Sequence, residues 1–291
     1  MCVAFLEEYS RRERLSIGTM STVDPRIAWS FDPAILFSVA VAALVYMRAW
    51  LRAREPGEPH PPGYGRLALF TSGLLVVLIA LVSPLDVLGK QLLFMHMIQH
   101  ILLLDIAPIL CILGLTKGIL RPITRRLTAI ERRAGPFGHP AFAVFLYVGF
   151  MWLWHIPAMY DTALKYPNIH AVEHICFMFA GGLYWWHLIS PIRSRMRLGG
   201  LGPIVYMTST KLLVGALGVA LAFLPKAIYP YYVHHSHFWG LSALEDQSLA
   251  GLVMALEQSI VMGIALVVLF VQMLNESERE AQRDERYEVV S

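Results

Sequence analysis

Four histidines fall into two pairs, each spaced by four residues: His96 and His100 in KQLLFMHMIQHILLL, His170 and His174 in NIHAVEHICFMF. On a helix that spacing places both imidazoles of a pair on one face. Both segments are otherwise compatible with lipid, where an ionisable side chain is expensive and needs a partner. A metal ion is the partner histidine most often takes. Imidazole suits zinc, copper, iron and nickel, and thioethers close by tilt the choice towards copper(I). Copper is therefore the expected ion, with zinc or iron as alternatives. Methionine also fills helix bundles, so the 13 methionines of the chain carry little weight alone.

The elements that must hold these residues follow from composition. Of 291 residues, 56% are hydrophobic and 15% charged, with a mean hydropathy of +0.54. Soluble domains carry roughly 25% charged residues, so an aqueous fold could not hide this apolar mass. Seven stretches are long enough to span a bilayer, at about residues 33–50, 67–84, 91–115, 140–156, 170–190, 203–224 and 248–274. The expected fold is all-α: a bundle of seven transmembrane helices at 32–275, a polar segment at 1–31 and a charged cytoplasmic tail at 276–291. Prolines mark most helix ends, and Pro108, inside the third span, is expected to kink it. No apolar leader is evident in the first 31 residues, and Met20 is a second plausible start. Cys2, Cys111 and Cys176 do not form a disulfide framework, and the latter two read as small core residues.

Charge sets the expected orientation. Arg48, Arg52, Arg54 and Arg66 lie between the first two spans, six Lys/Arg follow the third, Arg193, Arg195 and Arg197 follow the fifth, and Arg279, Arg283 and Arg286 lie in the tail. The alternate loops offer only Lys90, Lys165 and Lys226. The positive-inside rule then puts the N-terminus outside and the C-terminus in the cytoplasm, with Arg11, Arg12, Arg14 and Arg26 as a weak counter-signal.

Orientation gives depth. His96 and His100 fall in the outer turns of the third span, His155 at the outer end of the fourth, and His170, Glu173 and His174 at the start of the fifth. Asp246 and Gln247 lie at the outer lip of the seventh, with Met254 and Glu257 roughly 9–14 Å below it. Five histidines as ligands, with Glu173, Asp246, Gln247, Met254 and Glu257 as supporting groups, thus share one level of the outer leaflet. A carboxylate such as Glu173 can orient an imidazole rather than bind the ion itself. His234, His235 and His237 in the last outer loop read as a solvated run. Asp105 and Lys211 lie at similar depths, about 21 Å and 12 Å from opposite ends of their spans, and are expected to form a structural ion pair.

The stretches MHMIQHILLLDIAPILCILG, WLWHIPAMYDTAL, IHAVEHICFMFAGGLYWW and WGLSALEDQSLAGLVM, in that order over about residues 30–274, resemble the CtaG family of caa3-type cytochrome c oxidase assembly factors. His96, His100, His155, His170, Glu173, His174, Asp246 and Gln247 occupy the motif positions. Two departures are Asp105, where the pattern has an apolar residue, and Ala255–Leu256–Glu257 in place of a Trp-containing stretch. The resemblance implies a multi-pass protein of the bacterial inner (plasma) membrane that helps mature haem-copper oxidase through copper delivery. Its partners would be the lipid bilayer, cytochrome c oxidase subunits and a copper chaperone, with no nucleic acid, and no enzymatic turnover is expected. Three other readings compete: an intramembrane iron- or zinc-dependent oxidoreductase or hydrolase, a haem or quinone carrier, and a metal-free scaffold.

Overall fold

A computed structural model describes residues 26–58, 60–192, 198–235 and 238–290. Cys2, Met20, Arg11, Arg12, Arg14, Arg193, Arg195, Arg197 and His237 lie outside the described residues. Among those described, every regular element is helical. The order is α1 Pro33–Arg52, α2 Tyr64–Val82, α3 Pro84–Gly89, α4 Leu93–Ile101, a π-helical turn at Leu102–Ile106, α5 Ala107–Gly114, α6 Lys117–Ala134, α7 Pro140–Trp154, α8 Pro157–Lys165, α9 Pro167–Ile189, α10 Gly202–Phe223, α11 Pro230–His235 and α12 Ala243–Val290. These bounds fall close to the expected spans, because proline and a preceding cap define several starts. Asp32 accepts from the Ala34 amide ahead of Pro33, and Ser83 does the same for Leu85 around Pro84.

Among the described residues, five helices are long and apolar enough to cross a membrane: Pro33–Arg52, Tyr64–Val82, Leu93–Gly114, Gly202–Phe223 and Ala243–Asn275. A sixth results if Lys117–Gly138 and Pro140–Trp154, bent by 65°, count as one span. Alone, α7 has 15 residues; α9 has 23, but His170, Glu173, His174 and His187 lower its hydropathy.

The third expected span is interrupted as anticipated, though by a π turn rather than a simple kink. Pro108 has no N–H to return to Leu104, and the preceding turn widens so that the Ala107 amide bonds to the Leu102 carbonyl. Gly181 of α9 packs onto the exposed Leu104 carbonyl so closely that a Cβ there would collide with it. This is a contact only glycine allows, and it fixes how near α9 lies to α4. On α12, Gly251 meets the backbone of Gly218 and Ala222 of α10 in the same way.

Paired contacts give the relative directions. His96 lies against His170, His100 against Phe177, and Leu104 against Gly181, so α4–α5 and α9 run parallel. Asp246 meets Leu93 while Glu257 meets Asp105, so α12 runs parallel to them. Tyr147 meets Asp105 while His155 meets Met97, which makes α7 antiparallel. The largest core cluster, including Tyr147, Phe177, Tyr184 and Trp185, fills the space between these helices.

Candidate metal centre

The two histidine pairs face each other across the parallel α4 and α9. Ring centroids lie 4.2 Å apart for His96–His100, 4.1 Å for His170–His174, 5.1 Å for His96–His170 and 5.7 Å for His100–His174. Glu173 projects between them: its Oε2 is 3.9 Å from His96 Nε2 and its Oε1 3.6 Å from His100 Nε2. Two sets could each converge on one cation, His96/His170/His174 and His96/His100/Glu173, with ligand atoms within 4.8 Å of one another.

The cage is buried. Glu173 is 0% exposed, His96 1% and His100 2%. Both ring nitrogens of His100, Nε2 of His170 and of His174, and both Glu173 oxygens have no hydrogen-bond partner, while His96 reaches the Gly89 backbone. So many buried lone pairs without donors cost several kcal/mol as they stand. A cation drawing on those same lone pairs relieves the cost, so the donor set fits a metal ion that favours imidazole.

His155 stands beside this cage, 6.3 Å from His100 between ring centroids, but its nitrogens are engaged. Nδ1 lies 2.6 Å from the Met151 carbonyl and Nε2 lies 3.2 Å from Met97 Sδ. The structure therefore brings four of the five expected histidines and Glu173 together, with the fifth next to them.

The other supporting residues are placed differently. Asp246 accepts from the Leu93 and Phe94 amides at 2.7 and 3.0 Å, capping the first turn of α4 from another helix. Gln247 staples the α10–α12 connection: its Oε1 accepts from the Ile228 amide, and its Nε2 donates to the Leu221 and Lys226 carbonyls. Both residues build the scaffold around the cage. Met254 and Glu257 lie deeper, along the side of α12 facing His100.

The expected Asp105–Lys211 ion pair is not formed. Asp105 instead accepts from the Tyr147 hydroxyl and from Trp185 Nε1 at 2.7 Å, and hydrogen-bonds with Glu257. Matching depth along two helices says nothing about rotation about their axes, and α7 and α9 present donors to Asp105 that Lys211 does not displace.

Tyr160, Tyr229 and Tyr232, all buried, were not singled out by the sequence and wall the cage. The Tyr160 ring lies 5.2 Å from His96, Tyr232 donates to the Gly89 carbonyl at 2.6 Å, and Tyr229 donates to the His155 carbonyl. Tyr160 was detectable, five residues past His155 in the same motif; the other two come from a non-periodic connection. Gln99, fully buried, donates to the Ala80 carbonyl and to Asp86, which also pairs with Lys90 at 2.9 Å.

Comparison with known proteins places this geometry in context. An uncharacterized protein of Mycobacterium leprae (strain TN) is 23% identical over 280 residues, covering 89% of this chain and 41% of its own length. Uncharacterized proteins of Mycobacterium bovis and Mycobacterium tuberculosis (strain CDC 1551 / Oshkosh) are each 25% identical over 274 residues, with the same coverage. The chain thus spans less than half the length of these relatives. No solved structure matches it. The sequence pattern of the cytochrome c oxidase caa3 assembly factors (Caa3_CtaG) matches residues 44–276, most of the chain, and the protein belongs to that family.

Proposed function

We propose that this protein assists the assembly of cytochrome c oxidase by holding a copper ion in the cage of His96, His100, His170, His174 and Glu173 and passing it to an oxidase subunit. One observation carries the reading: a buried group of four imidazoles and one carboxylate, most of whose ligand atoms have no hydrogen-bond partner. Family membership directs it to oxidase maturation. Copper is the cargo, so the cage needs ligands that exchange one at a time. Imidazoles release copper more readily than buried thiolates would, and Cys111 and Cys176 lie outside the cage.

In this reading the chain crosses the bacterial plasma membrane seven times, α7 and α9 included, with the N-terminus outside. The cage then opens to the outer leaflet, where a copper chaperone can load it. The parallel run of α4, α9 and α12 and the antiparallel run of α7 support that topology, since alternate spans must point the same way. No turnover chemistry is involved.

The test is metal content, by mass spectrometry, of the purified full-length protein after copper(I) loading. The comparison is a variant carrying His96→Ala, His100→Ala, His170→Ala and His174→Ala. Bound copper in the parent and its loss in a still-helical variant are expected. A parent that binds no copper, or a variant that binds as much, refutes the proposal.

A further inference from the structure

Beyond the cage along α4, a cavity of about 10 Å³ is walled by Met97, His100, Met151, Met254, Glu257 and Gln258, with Asp105 further along the helix. That volume holds one water-sized species. Ile101, Leu104 and Val214 complete the wall, so the polar and sulfur atoms stand in an otherwise apolar lining. The three thioethers are buried, and Oε1 of Glu257, Oε1 of Gln258 and both ring nitrogens of His100 lack hydrogen-bond partners. Glu257 and Gln258 are 8% and 2% exposed. Asp105 is not open in the same way, because Tyr147 and Trp185 hold its oxygens. It also hydrogen-bonds with Glu257.

We propose that this cavity is a second cation station, selective for copper(I), into which the ion passes from the cage by way of His100. The inference rests on reading the cage as a copper site. His100 borders both spaces: it faces Glu173 in the cage and lines the cavity. Thioethers are poor partners for a hard cation but good ones for copper(I), and one imidazole with two or three thioethers satisfies its low coordination number. The Glu257–Asp105 carboxyl pair supplies negative charge where a cation in a low-dielectric interior needs it. No electron transfer is required, and the ion keeps its charge while its ligands change from imidazole-rich to sulfur-rich. Met97 is held at the cavity by His155, whose Nε2 lies 3.2 Å from its sulfur. Neither Met254 nor Glu257 has a role in the cage itself, which gives this station ligands of its own.

The test uses the full-length protein in lipid nanodiscs, loaded with copper(I) without oxygen. Copper is counted by mass spectrometry and its ligands are read by X-ray absorption. The parent should hold about two ions per chain with both nitrogen and sulfur scatterers. Met97→Leu/Met254→Leu, a change that conserves volume, should lose roughly half the copper and the sulfur signal while the nitrogen signal stays. His170→Ala/His174→Ala should keep the sulfur-ligated ion. Copper bound by nitrogen and oxygen alone, unchanged in the methionine variant, overturns the second station and leaves the cage reading intact. Total copper that the histidine variant leaves unchanged, all of it sulfur-ligated, overturns the cage reading instead. A parent without copper overturns both.

Discussion

Asp246 offers the sharpest quantitative test of how the cage is held. Its carboxylate accepts the Leu93 and Phe94 amides, so one side chain of α12 caps the helix that carries His96 and His100. At 0% exposure, water cannot replace it. Asp246→Ala leaves two buried amide donors without acceptors. Losing a helix cap costs about 0.5–2 kcal/mol, and a hydrogen bond to a charged acceptor is worth about 1.5–3 kcal/mol. Together these give a destabilisation of about 2–4 kcal/mol, with the two contributions overlapping. Asp246→Asn keeps one acceptor oxygen and should cost about half as much. The assay is unfolding of the detergent-solubilised protein by titrated denaturant, followed by far-UV circular dichroism, with copper(I) affinity measured against a competing chelator. Because α4 frays from its first turn, His96 should move more than His174, and copper affinity should fall together with stability. An Asp246→Ala protein as stable as the parent, with equal affinity, refutes the capping role and the argument that the cage depends on it.

Other expectations follow from the same contacts. Gly181→Val would push α9 off the Leu104 carbonyl and should cost about 1–3 kcal/mol or more, separating the histidine pairs and reducing bound copper. Gly182→Val, where a Cβ meets nothing, is the control that should retain copper; equal behaviour of the two would show that the close approach is unimportant. Glu173→Gln removes the cage carboxylate and should weaken copper binding about tenfold, a loss of about 1.4 kcal/mol, readable by chelator competition; unaltered affinity would exclude Glu173 as a ligand or charge partner. Lys211→Met should change stability by less than about 0.5 kcal/mol, because Lys211 does not pair with Asp105. By contrast, Asp105→Leu should destabilise by about 2 kcal/mol or more by stripping Tyr147 and Trp185 of their acceptor. Denaturant titration of both variants separates these cases.

Much of the helical plan was legible in the chain, for reasons of local physics. Apolar run length and terminal prolines set the bounds of α1, α2 and α10 within a few residues. The i, i+4 spacing necessarily placed His96 with His100 and His170 with His174 on common faces. Their shared depth was also recoverable, because rise per residue is fixed in a helix.

What sequence could not supply was rotation and register between helices. Asp246 and Gln247, expected to support the histidines, cap and staple backbone, while His155, expected as a ligand, spends its nitrogens on Met151 and Met97. Asp105 found its partners on α7 and α9 rather than on α10. Those outcomes depend on which faces meet, and the π turn before Pro108 rotates α5 relative to α4 while Gly181 sets the distance to α9. The sequence by itself determined a membrane-embedded all-helical chain, its family and two histidine pairs each on one helix face. Only the tertiary structure decided that the pairs share one buried cage around Glu173, because side-chain direction across an interface is set by packing between helices, not by periodicity within one.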